Sequence, residues 1–182
     1  MPVTEIFVSI GSNVEREKHI PVAIAMLCKR YGALRTSSVY ESEPVGFSGA
    51  PFYNLVARFH TSETPSQIVE QLRAIEDHCG RSRNGERFSS RTLDLDLLLY
   101  GDAVLRSTGL SLPRQEILTA AFVLGPLAEI AGNLRHPVQG QTYRQLWAKS
   151  AAMKKRIWPV AFELESVLSG VKNRKQAASW HK

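Results

Sequence analysis

The chain is poor in sulfur and has no long apolar run. Its two cysteines, Cys28 and Cys79, form no Cys-x-x-Cys pair and stand near no histidine set with metal-ligand spacing. That excludes a disulfide framework and a thiolate metal centre. Both read as small buried hydrophobes in a reducing compartment, and the expected location is cytoplasmic. No stretch approaches the roughly 18 apolar residues of a membrane span. The opening MPVTEIFVSIGSN lacks the basic-then-apolar order of a signal peptide, so no membrane partner is expected. The Gly-Lys-Ser/Thr ending of a Walker loop is missing after Ser9–Asn13, which excludes that kind of phosphate site and leaves Gly11 as a turn residue. There is no internal repeat and no low-complexity tract. A formal charge of +6 suggests an anionic partner, but Lys172, Arg174, Lys175 and Lys182 crowd into the last eleven residues and leave only +2 elsewhere. Without aromatics interleaved as a stacking platform, a nucleic-acid partner is not expected.

What remains is an ordinary globular composition: 182 residues, 43% hydrophobic and 22% charged. One domain over residues 1–168, followed by a basic, flexible tail over 169–182, fits that length, and a monomer is expected. Residues 5–10 read as a strand, and 19–31 as a helix with Ile20, Ala23, Ile24, Leu27 and Tyr31 on one stripe and Pro21 in its first turn. Residues 34–42 read as a second strand. A Gly/Pro loop over 43–51 precedes a third strand over 52–61. Thr64-Pro65-Ser66-Gln67 is a capping box opening a helix to about Cys79, ended by Gly80. The segment 106–118 reads as irregular, and 120–131 as a helix interrupted at Gly125-Pro126. Thr142-x-x-Gln145 caps a short helix, and 157–165 reads as an edge strand or a packing segment. The order β-α-β-β-α-β-α-α implies an α+β fold with a mainly antiparallel sheet.

The chain is organised around residues 80–100, GRSRNGERFSSRTLDLDLLLY. Arg81, Arg83, Arg87 and Arg91 lead into a strand whose apolar residues Leu93, Leu95, Leu97 and Leu99 alternate with Asp94, Asp96, Leu98 and Tyr100. Strand alternation puts Asp94 and Asp96 on one face, about 7 Å apart along the pleat. Two bare carboxylates at that spacing repel one another, and a hard cation such as Mg²⁺ relieves the repulsion while adding substrate phosphates to its shell. Guanidinium forks suit the same phosphates. An Asp-x-Asp pair alone is common, and so are arginines in a loop. Joined in one run before a leucine-rich strand, they point to phosphoryl transfer.

The run R-F-S-S-R-T-L-D-L-D-L-L-L-Y-G resembles the signature of the 6-hydroxymethyl-7,8-dihydropterin pyrophosphokinases of folate biosynthesis. The likeness spans roughly residues 5–147. It takes in I-G-S-N at 10–13, the S-x-x-Y-E-S-x-P-x-G run, F-Y-N at 52–54, I-E before G-R-S-R, L-P at 112–113 and F-V-L-x-P-L-x-E-I-A from Phe122. The resemblance implies a three-layer α/β/α sandwich of ferredoxin-like character. The implied reaction moves a diphosphate from ATP to the pterin's hydroxymethyl oxygen and releases AMP. It assigns catalysis to Arg81, Arg91, Asp94 and Asp96, with two Mg²⁺ ions on Asp94 and Asp96. ATP would meet Glu76, Arg81, Arg83, Arg87, Arg91, Leu97, Ser111 and Arg114. The pterin would meet Ser42, Pro44, Val45, Phe52, Asn54, Phe88, Asp94 and Phe122, with Phe52 and Phe122 stacking and Asn54 reading its edge.

Several positions depart from the family's usual pattern. Ser89-Ser90 replaces Gly-Pro, Phe88 a tryptophan, and Arg114-Gln115 a histidine and an aromatic. Ala120 and Gly109 stand where basic residues are usual, with Arg114 able to restore one charge. These changes leave open a second reading, a pterin- or nucleotide-binding paralogue with weak or altered catalysis.

Overall fold

The computed structural model describes residues 2–80 and 90–164. In chain order the elements are β1 (Thr4–Ser12), α1 (Arg16–Tyr31), β2 (Arg35–Thr36), β3 (Tyr40–Ser42), β4 (Phe52–Thr61) and α2 (Pro65–His78). There follow β5 (Asp94–Tyr100), β6 (Leu105–Ser107), β7 (Leu110–Leu112), α3 (Glu116–Thr119), α4 (Ala121–Ala131), α5 (Tyr143–Lys149), α6 (Ala151–Lys154) and β8 (Ile157–Pro159). The main sheet runs β5-β1-β4-β3-β8, with β2 also against β4, and every pairing is antiparallel. The fold is therefore a mixed one of helices on an antiparallel sheet.

Strand alternation sorts the core into two clusters. Ile6, Val8, Ile10, Leu55, Ala57, Leu95 and Leu97 pack with α1 and α2 residues such as Ile24, Leu27, Ile68 and Leu72. Phe7, Val56, Leu98 and Leu99 pack instead with Val123, Leu124 and Leu127 of α4 and Tyr143 of α5. Glu129 of α4 ties that side down, accepting from the Ser38 backbone N–H at 2.9 Å, the Ser38 hydroxyl and the Tyr40 hydroxyl at 3.0 Å. Burial and then this carboxylate push the Tyr40 phenol up to about 12.

The structure corrects the sequence reading in several places. The first strand continues through Gly11 and Ser12, because both pair in register with Asn54 and Tyr53; Gly11 is not a turn residue. α1 begins at Arg16, which moves Pro21 from the first turn to the helix interior. The second strand is split into β2 and β3, because Ser37 turns inward to bond Val56 between them. The alternation over β5 breaks at Leu98: Val8 faces Leu97 but Phe7 faces Leu99, so Leu98 is an extra, bulged residue and Leu99 crosses to the other cluster. The segment 106–118 contains the β6–β7 hairpin, turned at Gly109 with φ +82°. α4 runs unbroken through Pro126. Pro lacks one N–H, but Gly125 lets Trp147 and Ile157 approach so closely that a Cβ there would lie 2.6 Å from Ile157 Cδ1. The short helices α3 and α6 have no counterpart in the sequence reading, and of the described residues in 157–165 only Ile157–Pro159 is strand.

The two capping boxes occur as expected, at Thr64/Gln67 and Thr142/Gln145. Cys28 and Cys79 are both buried and neither forms a disulfide; burial, then the nearby Glu76, raises the Cys79 thiol's pKa. No helix among the described residues is long and apolar enough to cross a membrane.

Candidate active site

The strand pairings bring one set of polar residues to a single face at one end of the sheet. Gly11 of β1 lies between Asn54 of β4 and Asp94 of β5, and Ser9 between Val56 and Asp96. Phe52 and Asn54, two apart on β4, share that face, and their register partners on β3 are Ser42 and Tyr40. Gly11 is the floor. A Cβ placed on it would meet Asn54 Oδ1 at 3.2 Å and both Asp94 Cβ and Phe52 Cδ1 at 4.0 Å. Its φ lies outside the left-handed region, so the missing side chain clears space and does not relieve the backbone.

Around this floor stand groups suited to a flat, polar ligand. Asn54 is buried; its Nδ2 donates to the Ser42 hydroxyl at 3.0 Å, which fixes the amide with Oδ1 over Gly11. That oxygen is an acceptor for ring N–H donors. Phe52 is half-buried, and Phe47, from the loop before β4, meets it edge-on with centroids 6.2 Å apart. Pro44 is half-buried and Val45 is 55% exposed in that loop. Phe122 is half-buried on α4, which packs on this same side of the sheet.

The carboxylates Asp94 and Asp96 are partly exposed on that face, as the alternation requires. Arg91 Nη1 lies 2.5 Å from Asp94 Oδ2, and Arg114 Nη2 lies 2.8 Å from Asp96 Oδ1. Arg114 enters from the far side: its backbone N–H donates to Leu98 O at 3.0 Å, anchoring the segment after β7 to β5. No group of three or more His, Cys, Asp or Glu able to hold a metal occurs among the described residues. The two aspartates form an all-oxygen donor pair, each already paired with an arginine.

Other expected nucleotide contacts are placed less directly. Glu76 is buried, and its Oε1 accepts from the backbone N–H of Leu95 at 2.8 Å, between the two aspartates. It therefore positions the strand that carries them. Leu97 is buried in the α1/α2 cluster, so only its backbone faces outward along β5, which ends the main sheet's order. Ser111 is exposed on β7 and accepts from Arg106 Nη1 at 2.9 Å. Arg81, Arg83, Arg87 and Phe88 lie outside the described residues.

Three residues escaped role assignment from sequence. Buried Asn13 accepts from the Arg91 backbone N–H at 2.6 Å and donates through Nδ2 to Ala50 O at 3.0 Å. Ser12 donates to Thr92 O at 2.6 Å. Arg16 donates to Pro51 O at 2.8 Å, pairs with Glu41 at 2.7 Å and lies 3.7 Å over the Tyr53 ring. Ser12 and Asn13 tie both loops of the site to the end of β1, and Arg16, at the start of α1, holds the loop before β4. The I-G-S-N run was the signal for Ser12 and Asn13. For Arg16 there was none, since the partners that matter to the site, Glu41, Pro51 and Tyr53, are distant in sequence.

A family model for 7,8-dihydro-6-hydroxymethylpterin-pyrophosphokinase matches residues 7–132. The "2-amino-4-hydroxy-6-hydroxymethyldihydropteridine pyrophosphokinase" of Haemophilus influenzae is 37% identical over 136 residues, covering 72% of this chain and 84% of that one. The "Folic acid synthesis protein fol1" of Pneumocystis carinii is 38% identical over 147 residues, 79% of this chain, which spans only 20% of that longer protein. Among solved structures, wild-type Plasmodium falciparum HPPK-DHPS superposes with a TM-score of 0.66 at 14% identity, covering 86% of this chain and 47% of that one. The chain belongs to the 7,8-dihydro-6-hydroxymethylpterin-pyrophosphokinase family.

Proposed function

We propose that this chain transfers the β,γ-diphosphate of ATP to the hydroxymethyl oxygen of 6-hydroxymethyl-7,8-dihydropterin, releasing AMP, as a step of folate biosynthesis. The observation that carries the proposal is the Gly11 floor, where a fixed amide oxygen, an aromatic ring and the Asp94 side chain all come within 4.0 Å of one point. The pterin's N–H edge meets Asn54 Oδ1, its face lies on Phe52 with Phe122 opposite, and Ser42, Pro44 and Val45 wall the edge of the pocket. This leaves the hydroxymethyl arm directed toward Asp94, which orients the attacking oxygen. The new bond joins that oxygen to Pβ, its proton passing to water, while the bond from Pβ to the bridging oxygen breaks and AMP leaves. Such chemistry demands alignment and charge stabilisation more than covalent work by the protein.

The Asp94/Asp96 pair fits Mg²⁺, which usually takes one or two carboxylates and completes its shell with water and phosphate. Two such ions, brought with ATP, would neutralise charge developing on the phosphates. Arg91 and Arg114, already on this face, contact the same oxygens, and the resemblance adds Arg81, Arg83, Arg87 and Phe88 of the arginine-rich run. Glu76 acts beneath the strand, and Leu97 through its backbone; Ser111 borders the nucleotide. The same reading includes a three-layer ferredoxin-like arrangement, a single domain over 1–168 with a basic tail, a monomer in the cytoplasm, and no nucleic-acid or membrane partner. The binding paralogue is not favoured: a protein freed from phosphate chemistry has no need of this ionic cluster.

The test is product analysis with MgATP and the dihydropterin alcohol. AMP formed one-for-one with pterin diphosphate is the expected result. ADP in place of AMP, or pterin binding with no AMP, would overturn the assignment.

A further inference from the structure

We propose that Arg114 is an exchangeable counter-ion that holds Asp96 in the unliganded chain and passes to the nucleotide's phosphates when metal and nucleotide arrive together. The proposal rests on the functional reading above and adds an order of binding to it.

The geometry of Arg114 differs from that of Arg91. Arg91 is fixed at both ends, by Asn13 on its backbone and by Asp94 on its guanidinium. The Arg114 backbone is fixed to Leu98, but its guanidinium is only partly engaged. Nη2 reaches Asp96 at 2.8 Å, whereas Nε is buried and makes no hydrogen bond, its nearest carboxylate being Glu116 at 3.5 Å. A guanidinium carries five N–H donors in a fork that matches phosphate oxygens, and a buried donor without an acceptor is costly. Arg114 thus pairs closely with Asp96 and loosely with Glu116, while its buried Nε keeps an unmet demand for a hydrogen-bond acceptor. A phosphate arriving on this face supplies it.

The consequence is electrostatic. A divalent cation approaching Asp96 without nucleotide meets a guanidinium on one of the two carboxylate oxygens, and their repulsion across a few ångströms of half-exposed surface weakens binding about tenfold. With a triphosphate present, Arg114 has another anion to contact, and Asp96 is released to its metal role. Metal loading then depends on nucleotide, and bare metal does not occupy the site.

The test uses Mn²⁺ as a spin-active probe on the full chain, with and without an α,β-methylene analogue of ATP. Without nucleotide, Arg114→Ala should bind Mn²⁺ about tenfold more tightly than the unsubstituted chain, and Arg114→Lys, which keeps the charge, should stay near it. With the analogue the order should reverse, Arg114→Ala holding nucleotide about tenfold more weakly. Asp96→Asn should lose Mn²⁺ binding in either condition. Equal Mn²⁺ affinity of Arg114→Ala and the unsubstituted chain without nucleotide would overturn the proposal, as would Mn²⁺ binding indifferent to Asp96→Asn. AMP production by the unsubstituted chain is scored separately. Its absence with the Mn²⁺ effect intact rejects the functional reading alone, and its presence without the effect rejects only the exchange.

Discussion

Substituting Gly11 by alanine separates folding from ligand binding. Gly11 lies within β1, paired on both sides, with a φ open to any residue. Alanine there restricts the unfolded chain, which by itself stabilises by about 0.4–1 kcal/mol. Against that stands one close contact, 3.2 Å to Asn54 Oδ1, which requires the amide to shift by a few tenths of an ångström and strains its bond to Ser42. The two effects are of similar size, so Gly11→Ala should keep its thermal midpoint to within a few degrees. The floor changes far more. A methyl carbon projects about 1.5 Å from the Cα, into the space bounded by Asn54, Asp94 and Phe52. A planar ring resting there must lift by a comparable distance and lose the Asn54 hydrogen bond, about 1–3 kcal/mol if the amide is left unsatisfied. Pterin affinity should fall by roughly tenfold or more, read by quenching of pterin fluorescence, with nucleotide affinity less affected. A variant that binds pterin as the unsubstituted chain does would refute the placement of the ligand on Gly11. One that unfolds would refute the argument that Gly11 is there for space.

Three further substitutions probe neighbouring steps. Asp96→Ala should abolish diphosphate transfer yet change stability by less than about 1 kcal/mol, since its ion pair with Arg114 is partly solvated; near-normal turnover would remove Asp96 from the chemistry. Glu76→Ala strips the buried Leu95 N–H of its acceptor and should destabilise by about 1–3 kcal/mol. It should also slow turnover beyond the fraction unfolded, with Glu76→Gln restoring most of both; loss of stability alone would limit Glu76 to packing. His136 Nδ1 accepts from the Val138 and Gln139 N–H groups at 3.2 Å, and burial, then Arg106, lowers its pKa. The unfolded chain takes up that proton first, so the stability contributed is complete above an unfolded pKa of about 6.5 and is lost as the pH falls through the folded value. Thermal melts from pH 7.5 to 5 should therefore show a steeper decline in the unsubstituted chain than in His136→Asn, and parallel declines would contradict this.

How much was legible before the structure depended on the range of the interaction that decides each feature. Capping boxes, the β4 span and the shared face of Asp94 and Asp96 follow from local pattern, and all stand. The bulge at Leu98 does not. It is a mismatch of register between β1 and β5, and nothing in L-D-L-D-L-L-L distinguishes the extra residue until the partner strand is known. Pro126 misled for a related reason. The proline reads as a break, while the feature that keeps α4 whole is packing by Trp147 and Ile157 from elements further along the chain.

The site shows the same division in a sharper form. Asn54, Phe52 and Asp94 could each be named from motifs, but a motif does not say that they meet. That meeting depends on Gly11, read from sequence as a turn because Gly-Ser-Asn is turn chemistry. In the structure those three residues do two things at once. Gly11 lends its missing side chain as the floor. Ser12 and Asn13 bond outward to Thr92, Arg91 and Ala50, joining the carboxylate strand and the loop before β4 to a single strand end. A ligand resting on Gly11 therefore presses on the same strand that holds both walls. The pterin side and the phosphate side of the site share this support, so a change at Asn13 should weaken both ligands together, unlike a change at Asn54 or Arg114, each of which acts on one.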